Sequence, residues 1–236
     1  MNKSFIKCLL SPPSITLNLH GKSSYKKLKV LLENNTNLPK ILQIGCGDSF
    51  GVGIVNLGEA ILHKMINLDI RKTQLTNVIG DAIALPFIDN QFDGIIAQAT
   101  LQYTKVPALV VKEIHRVLKP GGYVYIEAPF FEPFYPNHND KYRFTKTGLQ
   151  TLFEEFQEIE CNINQGPAST FTTAIVEFGA ISLSFNNTLL YKVLLTILRW
   201  LFFPLKYLDI LLVKTKFAYF ISGYSYLGKK KGDDKK

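Results

Sequence analysis

Short apolar runs alternate with segments of helical spacing over the first two thirds of the chain. The apolar runs predict six strands, at 40–44, 65–70, 76–80, 94–99, 123–129 and 157–163. Apolar residues three and four apart predict helices at 23–34, 105–118 and 145–156. Strands that alternate with helices are typical of a parallel sheet covered on both faces. The pattern therefore predicts an α/β fold with a doubly wound sheet.

Glycine and proline set two boundaries within this pattern. The stretch between Gly47 and Met65 contains three further glycines, so we expect a short first helix after the first strand. Pro120, Gly121 and Gly122 follow the helix at 105–118 and are expected to stop it.

The last third of the chain has a different pattern. Residues 189–220, "LLYKVLLTILRWLFFPLKYLDILLVKTKFAYF", are mostly apolar, but Lys192 and Arg199 interrupt them and Pro204 breaks them. No run of about 20 uncharged residues exists, which a bilayer-spanning helix requires. The change of pattern predicts two parts, an α/β domain at 1–166 and a hydrophobic, basic, helical segment at 167–236.

Three basic residues of this segment, Lys192, Arg199 and Lys206, are spaced by seven. They would share one side of a helix that continued through Pro204, and the first two share a face in any case. A broad apolar face with a basic stripe is typical of a helix that lies in a membrane interface. A helix packed on the domain and a dimer contact, each with the stripe facing water, are the alternatives; a transmembrane hairpin is the least favoured reading.

Net charge is concentrated in the same segment. The 236-residue chain has a formal net charge of +8, yet residues 1–188 hold 17 basic and 16 acidic residues. Residues 189–236 hold ten basic and three acidic residues, a net charge of +7. The asymmetry predicts an anionic partner for the segment, such as an anionic membrane surface. A near-neutral body disfavours a nucleic-acid-binding domain.

Cysteine usage and the N-terminus bear on location. Cys8, Cys46 and Cys161 form no CxxC motif, and no histidine cluster accompanies them. A reducing compartment with neither a disulfide framework nor a metal site is therefore expected. Lys7 interrupts the apolar stretch near the start, so no secretory signal is predicted. We expect a cytoplasmic protein, with peripheral membrane attachment through 189–236.

Gly45 and Gly47 directly follow the first predicted strand. Glycine there permits a positive φ and a close approach of the backbone to a ligand, as in dinucleotide-binding turns. The third glycine of that motif would be at position 50, which is Phe50, and a pair of glycines also fits a purely structural turn. Asp69 ends the second strand, where a carboxylate can accept both ribose hydroxyls. Asp81 follows the third strand and can accept from an adenine amino group; both aspartates also suit a helix cap or a turn.

The ordered set of motifs carries a family resemblance. "LQIGCG", "NLDI", "GDAIALPFIDNQFDGIIAQATLQY" and "EIHRVLKPGGYVYIEAPF" together resemble the class I S-adenosylmethionine-dependent methyltransferases of the type-11-like group, over about residues 25–160. The resemblance implies a Rossmann-like sheet and S-adenosylmethionine as the cofactor. By position, it implies contacts from Gly45, Cys46 and Gly47 to the methionine part, from Asp69 to the ribose, from Asp81 and Ala82 to the adenine, and from Gln98 near the sulfonium.

Two positions depart from the family pattern. Gln43 occupies the place of an acidic residue two before the first glycine. Tyr103, in "LQY", replaces the histidine of the family's "LEH" motif. Both changes bear on the affinity for the cofactor more than on its identity.

The loop at 130–148, "FFEPFYPNHNDKYRFTKTG", is the predicted place of the chemistry. It follows the fifth strand, at the sheet edge where open α/β sheets bind ligands. It also resembles a His-Asp-Tyr-Arg-Phe-Thr-like segment of some bacterial methyltransferases. His138 is the candidate general base, and Tyr103, Asp140 and Arg143 are further candidate catalytic residues. The alternative is a structural Asp140–Arg143 ion pair beside a solvent-exposed His138.

The sequence thus favours transfer of a methyl group to a small-molecule, glycan or lipid-linked acceptor, at an oxygen in preference to nitrogen or carbon. A non-catalytic methyltransferase-like binding or scaffold protein is the alternative, for which the replaced "LEH" histidine leaves room. Phe50 and "GDAIALPF" disfavour an NAD-dependent oxidoreductase. The near-neutral body disfavours an RNA methyltransferase.

Overall fold

A seven-stranded sheet with the order β3-β2-β1-β4-β5-β7-β6 organises the protein. The computed structural model describes residues 12–51, 53–136 and 139–232. Neighbouring strands from β1 to β5 pair in parallel, and β7 is antiparallel to β5. The strands are β1 (Ile41–Ile44), β2 (Ile66–Asp69), β3 (Val78–Ile79), β4 (Phe92–Gln98), β5 (Leu118–Pro129), β6 (Phe156–Gln165) and β7 (Gly223–Lys230).

The chain divides into two compact units. The sheet unit comprises residues 20–164 and the part after 222, and the helical unit comprises the part up to 19 and residues 165–222. This differs from the predicted division at 166, because the end of the chain belongs to the sheet unit.

Helices cover both faces of the sheet unit, as predicted. They are α1 (Gly21–Asn35), a 3₁₀ turn (Ile54–Leu57), α2 (Glu59–Lys64), α3 (Pro107–Val117) and α4 (Lys146–Leu152). Side chains alternate across each strand, so Leu42 joins the apolar cluster with α3 and Ile41 joins the cluster with α1. Both clusters are buried, which explains why the strands are nearly continuous apolar runs.

The six predicted strands and three predicted helices are all present, with shifted bounds. The helix after β1 is short, as the glycines indicated. The helix α3 ends at Val117, within one residue of the predicted end and before Pro120, Gly121 and Gly122, and these three residues lie within β5. The ladder between β4 and β5 shifts register there, and Gly121 takes a φ of 77°, so the three residues form an irregularity within the strand.

The seventh strand corrects the expectation that 167–236 is wholly helical. Its sequence, "GYSYLGKK", lacks clear alternation and ends in lysines, which is typical of a solvated tail. In the structure the Lys230 ammonium is nearly buried and donates to the carbonyls of His115 and Leu118, both at 2.7 Å, and to Asn90 Oδ1 at 2.9 Å. Three acceptors compensate for its desolvation, so a lysine is accommodated beside the sheet.

The helical unit contains α5 (Pro167–Leu183), α6 (Thr188–Phe202), a 3₁₀ stretch (Phe203–Leu208) and α7 (Asp209–Leu212). The α-helical geometry of α6 ends just before Pro204, as predicted. Among the described residues, the stretch Thr188–Leu212 is long and apolar enough, by length and composition, to cross a membrane. Its most apolar part has a mean hydropathy of 1.5, and none of the residues in that part is buried.

The predicted basic stripe is only partly present. Lys192 is exposed, but Lys206 is 8% exposed and donates to the Ser14 carbonyl. The stripe required the helix to continue through Pro204, and the 3₁₀ stretch changes the rotation per residue at that point.

Asp209 anchors the start of α5, and its removal should destabilise the helical unit. Its fully buried carboxylate accepts from the backbone N–H of Ala168 at 2.6 Å and of Ser169 at 2.9 Å. Asp209→Ala leaves both donors unpaired, so we expect a loss of about 2 kcal/mol in the free energy of unfolding, measured by urea denaturation. Asp209→Asn keeps an acceptor and should lose less. Equal stability of the wild type and the alanine variant would contradict this role.

Candidate functional site

The turn after β1 has the left-handed geometry that glycine permits. Gly45 has a φ of 68° and Gly47 a φ of 60°. The backbone N–H groups of Gly45 and Cys46 both donate to the Leu68 carbonyl on β2, at 2.8 and 3.2 Å. A Cβ on residue 45 would collide with the Thr100 side chain, whereas a Cβ on residue 47 would meet nothing within 4 Å. Gly45 is thus required both because a side chain would collide with Thr100 and because φ is positive, whereas Gly47 is required only because φ is positive.

Asp69 links this turn to the end of β2. Its carboxylate is 7% exposed and accepts from the Gly47 N–H at 3.0 Å and from the Arg71 N–H at 2.9 Å. A carboxylate offers about four lone-pair positions, so these two bonds leave acceptor capacity for ligand hydroxyls. Asp69 can therefore shape the turn and bind a diol.

A cleft of about 480 Å³ opens above the turn. It collects six of the predicted site residues, namely Gly45, Gly47, Asp69, Asp81, Ala82 and Tyr103. They come from the carboxyl ends of β1 to β4 and the segments that follow them, where open α/β sheets bind ligands. Its volume falls within the range of sites for small molecules and cofactors. Asp81 also accepts from the Ile83 N–H at 3.2 Å, so it forms the local turn that was its alternative role.

Two predicted cofactor contacts lie outside the lining of the cleft. The Cys46 thiol is buried beside the hydroxyl of Thr76, with Sγ and Oγ1 3.6 Å apart. The Gln98 amide donates to Glu127 Oε2 at 2.7 Å. The cleft is lined instead by the next two residues along the chain, Ala99 and Thr100.

Thr100 is a site residue that the sequence analysis missed. Its hydroxyl lies 3.1 Å from the Ile44 carbonyl and 3.0 Å from the Gln98 carbonyl. It therefore connects the ends of β1 and β4 directly behind the glycine turn. The available signal was its position just after the fourth strand, but threonine there is equally common as a surface residue.

The loop after β5 contains a structural ion pair. The Arg143 guanidinium binds the Asp140 carboxylate through two bonds of 2.6 Å and also donates to the Pro133 carbonyl at 2.9 Å. The Asp140 side chain is inaccessible to solvent. Neither residue lines the cleft, although Asn139 and Lys141 do. The alternative role of this pair, holding the loop, is the one that the geometry favours; His138 lies outside the described residues.

Two partly buried residues near this loop, Tyr103 and Glu132, have raised pKa values. Burial, reinforced by the charges of Asp140 and Glu132, raises the pKa of the Tyr103 phenol above its ordinary value. Tyr103 is therefore protonated at neutral pH and can donate a hydrogen bond within the cleft. Burial also raises the pKa of Glu132, against the opposing effect of Arg143. Glu132 was not among the predicted site residues, because a single acidic residue in a loop has no distinguishing sequence signal.

Three cations line the cleft, Arg71, Lys105 and Lys141. The Lys141 ammonium is held by the carbonyls of Asn139 at 2.8 Å and of Tyr103 at 3.2 Å. Lys105 and Lys141 are exposed, and among the described residues neither forms a salt bridge within 4.0 Å. The wall that carries Tyr103, Lys105 and Lys141 is thus positively charged.

The strands that form the cleft are similar to those of known proteins. A family model of the methyltransferase domain matches residues 42–126. The biotin biosynthesis bifunctional protein BioHC of Saccharophagus degradans is 29% identical over 126 residues, which is 49% of this chain and 19% of that protein. The demethylmenaquinone methyltransferase of Renibacterium salmoninarum is 32% identical over 88 residues, 36% of this chain and 33% of that enzyme. The chain thus spans well under two thirds of either relative.

A solved structure agrees with the fold. A protein from Galdieria sulphuraria assigned as a sarcosine dimethylglycine methyltransferase superposes with a TM-score of 0.53, over 97% of each chain and at 13% identity. At that identity the match concerns the architecture of the sheet and its helices.

The two glycines of the turn should differ in their tolerance of alanine. Both Gly45→Ala and Gly47→Ala force a side chain into the left-handed region, which costs about 1 kcal/mol each. Gly45→Ala adds the collision with Thr100 and should lose roughly 1–3 kcal/mol more, measured by urea denaturation. The double variant Gly45→Ala/Thr100→Ala should recover part of that excess. Equal losses for the two single variants would show that the close approach to Thr100 is not a constraint.

Proposed function

We propose that the chain, of which residues 42–126 match a family model of the methyltransferase domain, transfers the methyl group of S-adenosylmethionine to an oxygen of a small-molecule, glycan or lipid-linked acceptor. The observation that carries this proposal is the cleft itself. It unites the left-handed glycine turn, the Asp69 carboxylate and Asp81 at one sheet edge. This combination supports a site that holds a methionine part, a ribose and an adenine.

The residues present fit S-adenosylmethionine. The turn at Gly45 and Gly47 would hold the methionine part, Asp69 would accept from the ribose hydroxyls, and Asp81 with Ala82 would bind the adenine. When bound, the cofactor supplies a methyl carbon activated by the sulfonium. An acceptor hydroxyl must lose its proton as the new C–O bond forms and the S–C bond breaks. The chain's task is to orient that hydroxyl, exclude water and receive the proton.

Two groups are proposed to act on the acceptor. His138 would take the hydroxyl proton as a general base. Tyr103, protonated at neutral pH and facing the cleft, would orient the acceptor by donating a hydrogen bond. Lys105 and Lys141 support an acceptor that carries negative charge, because the cations meet no carboxylate within the described residues. Asp140 and Arg143 are assigned the structural role of holding the loop.

The proposed location is the cytoplasmic face of a membrane, with peripheral attachment through the helical unit. The support is the apolar surface of α6, of which no residue is buried. Attachment would raise the local concentration of lipid-linked acceptors around the enzyme.

Labelled S-adenosylmethionine should reveal the acceptor class. Purified protein is incubated with the methyl-labelled cofactor and a cell extract that is then separated into small-molecule, lipid, glycan, protein and RNA fractions. We expect label in the small-molecule, lipid or glycan fraction. Asp69→Ala should weaken cofactor binding by about 10- to 100-fold, because charge-assisted hydrogen bonds of about 1.5–3 kcal/mol each are lost. The control is Asp48→Ala, an exposed aspartate outside the cleft lining. Cofactor binding without label in any fraction would contradict the transferase and favour a binding role.

The general base is tested at His138. His138→Ala should lower turnover by roughly 10²–10⁴-fold with nearly unchanged cofactor affinity, because proton removal is lost while the cofactor contacts remain. His63→Ala, an exposed histidine on α2, is the matched control and should leave both quantities unchanged. Unchanged turnover in the His138 variant would contradict the role of general base and would mean that transfer depends on the proximity and orientation of the acceptor.

A further inference from the structure

The outward face of α6 is mostly apolar, and Lys192 is its one exposed charged residue. Leu189, Val193, Ile197 and Leu201 are spaced by four and are 73%, 45%, 55% and 64% exposed. Trp200, on the same side, is 39% exposed. A surface helix normally turns its apolar face to the core and its polar face to water. In α6 the side that faces solvent is the apolar side, so this face would be stabilised by contact with an apolar environment.

The turn before α6 and the end of α5 extend the apolar surface. Phe185 in the turn is 85% exposed, and Phe178 and Ile181 on α5 are 72% and 62% exposed. The sequence contains no charged residue between Glu177 and Lys192. Large exposed apolar side chains that are grouped in this way mark an interaction site.

The charges of the helical unit identify the occupant. Its only acidic residues are Glu177, whose carboxylate accepts from the Tyr191 hydroxyl at 2.7 Å, and the buried Asp209. Among the described residues of this unit, the exposed charged side chains are the lysines at 192, 214 and 216. An apolar surface in a unit whose exposed charges are positive complements a bilayer with anionic headgroups and would be repelled by a second copy of itself.

A helix that crosses the bilayer would disrupt the contacts seen at the end of this stretch. Lys206 binds the Ser14 carbonyl, and Asp209 binds the first N–H groups of α5. A span over Thr188–Leu212 would move both groups into hydrocarbon and away from these partners. The contacts are compatible only with insertion from one side.

We propose that the outward face of α6, together with Phe178, Ile181 and Phe185, is a monotopic membrane-insertion surface that seats in one leaflet and binds chiefly by apolar burial. The inference rests on the peripheral attachment proposed above and adds its residues, depth and driving force. Charge has a secondary role, because Lys206 is buried and Arg199 is only partly exposed. The exposed lysines add attraction to anionic headgroups, and the apolar side chains provide most of the binding.

The protein's single tryptophan makes the test direct. Full-length protein is mixed with neutral phosphatidylcholine vesicles, or with vesicles that also contain phosphatidylglycerol, at 0.1 and 1 M NaCl. We expect co-sedimentation with both vesicle types, a blue shift of Trp200 fluorescence, and at least half of the binding retained at 1 M salt. Lipids brominated near the headgroup should quench Trp200 more than lipids brominated at the bilayer centre. Binding only to anionic vesicles that is lost at 1 M salt, or stronger quenching from the centre, would overturn the proposal.

Substitutions separate this inference from the proposed activity. Ile197→Ser and Phe185→Ser should each weaken vesicle binding about ten-fold, because each removes one large apolar side chain from the bilayer. Ile88→Ser, at a residue of the sheet unit that is 75% exposed, is the matched control and should bind vesicles like the wild type. Binding of S-adenosylhomocysteine is measured on the same samples and should be unchanged. Normal cofactor binding without vesicle binding overturns the insertion surface alone, whereas vesicle binding without cofactor binding overturns the proposed activity alone.

Discussion

The glycine turn is held against the end of β2, and the site depends on this contact. The N–H groups of Gly45 and Cys46 share the Leu68 carbonyl, and the N–H of Gly47 binds the Asp69 carboxylate. These bonds fix two left-handed glycines, separated by Cys46, in a tight reversal directly above the parallel strands. Because β1 lies between β2 and β4, the turn opens at the centre of the sheet edge, where ligands bind in open α/β sheets.

Residues around this turn combine structural and binding roles. Asp69 anchors two backbone N–H groups and keeps acceptor capacity for a ligand diol, so a carboxylate is needed even before a cofactor binds. Thr100 fills the space that a side chain at residue 45 would occupy. The Asp140–Arg143 pair similarly holds the loop beside the cleft. Fold and site are thus specified by the same few contacts, and site variants must be checked for stability as well as for binding.

Local patterns predicted the parallel part of the sheet, because its central strands β1, β4 and β5 are apolar runs that are buried on both faces. They did not predict β7, whose Lys230 lies beside the sheet only because three oxygen acceptors from distant parts of the chain surround it. Gly47, Asp69 and Asp81 were identified from their positions after strands. Thr100 was not, since its role depends on the space above Gly45. The prediction of a basic stripe was wrong at Lys206, because the 3₁₀ stretch there changes the rotation per residue of the helix.

The central claim is that the cleft above the glycine turn is a site for S-adenosylmethionine. Isothermal titration calorimetry of the full chain with S-adenosylmethionine, its demethylated product and NAD tests it most directly. The account predicts measurable, one-to-one binding of the first two ligands and negligible binding of NAD. Preferential binding of NAD would contradict it, because the same turn and carboxylate would then serve a dinucleotide.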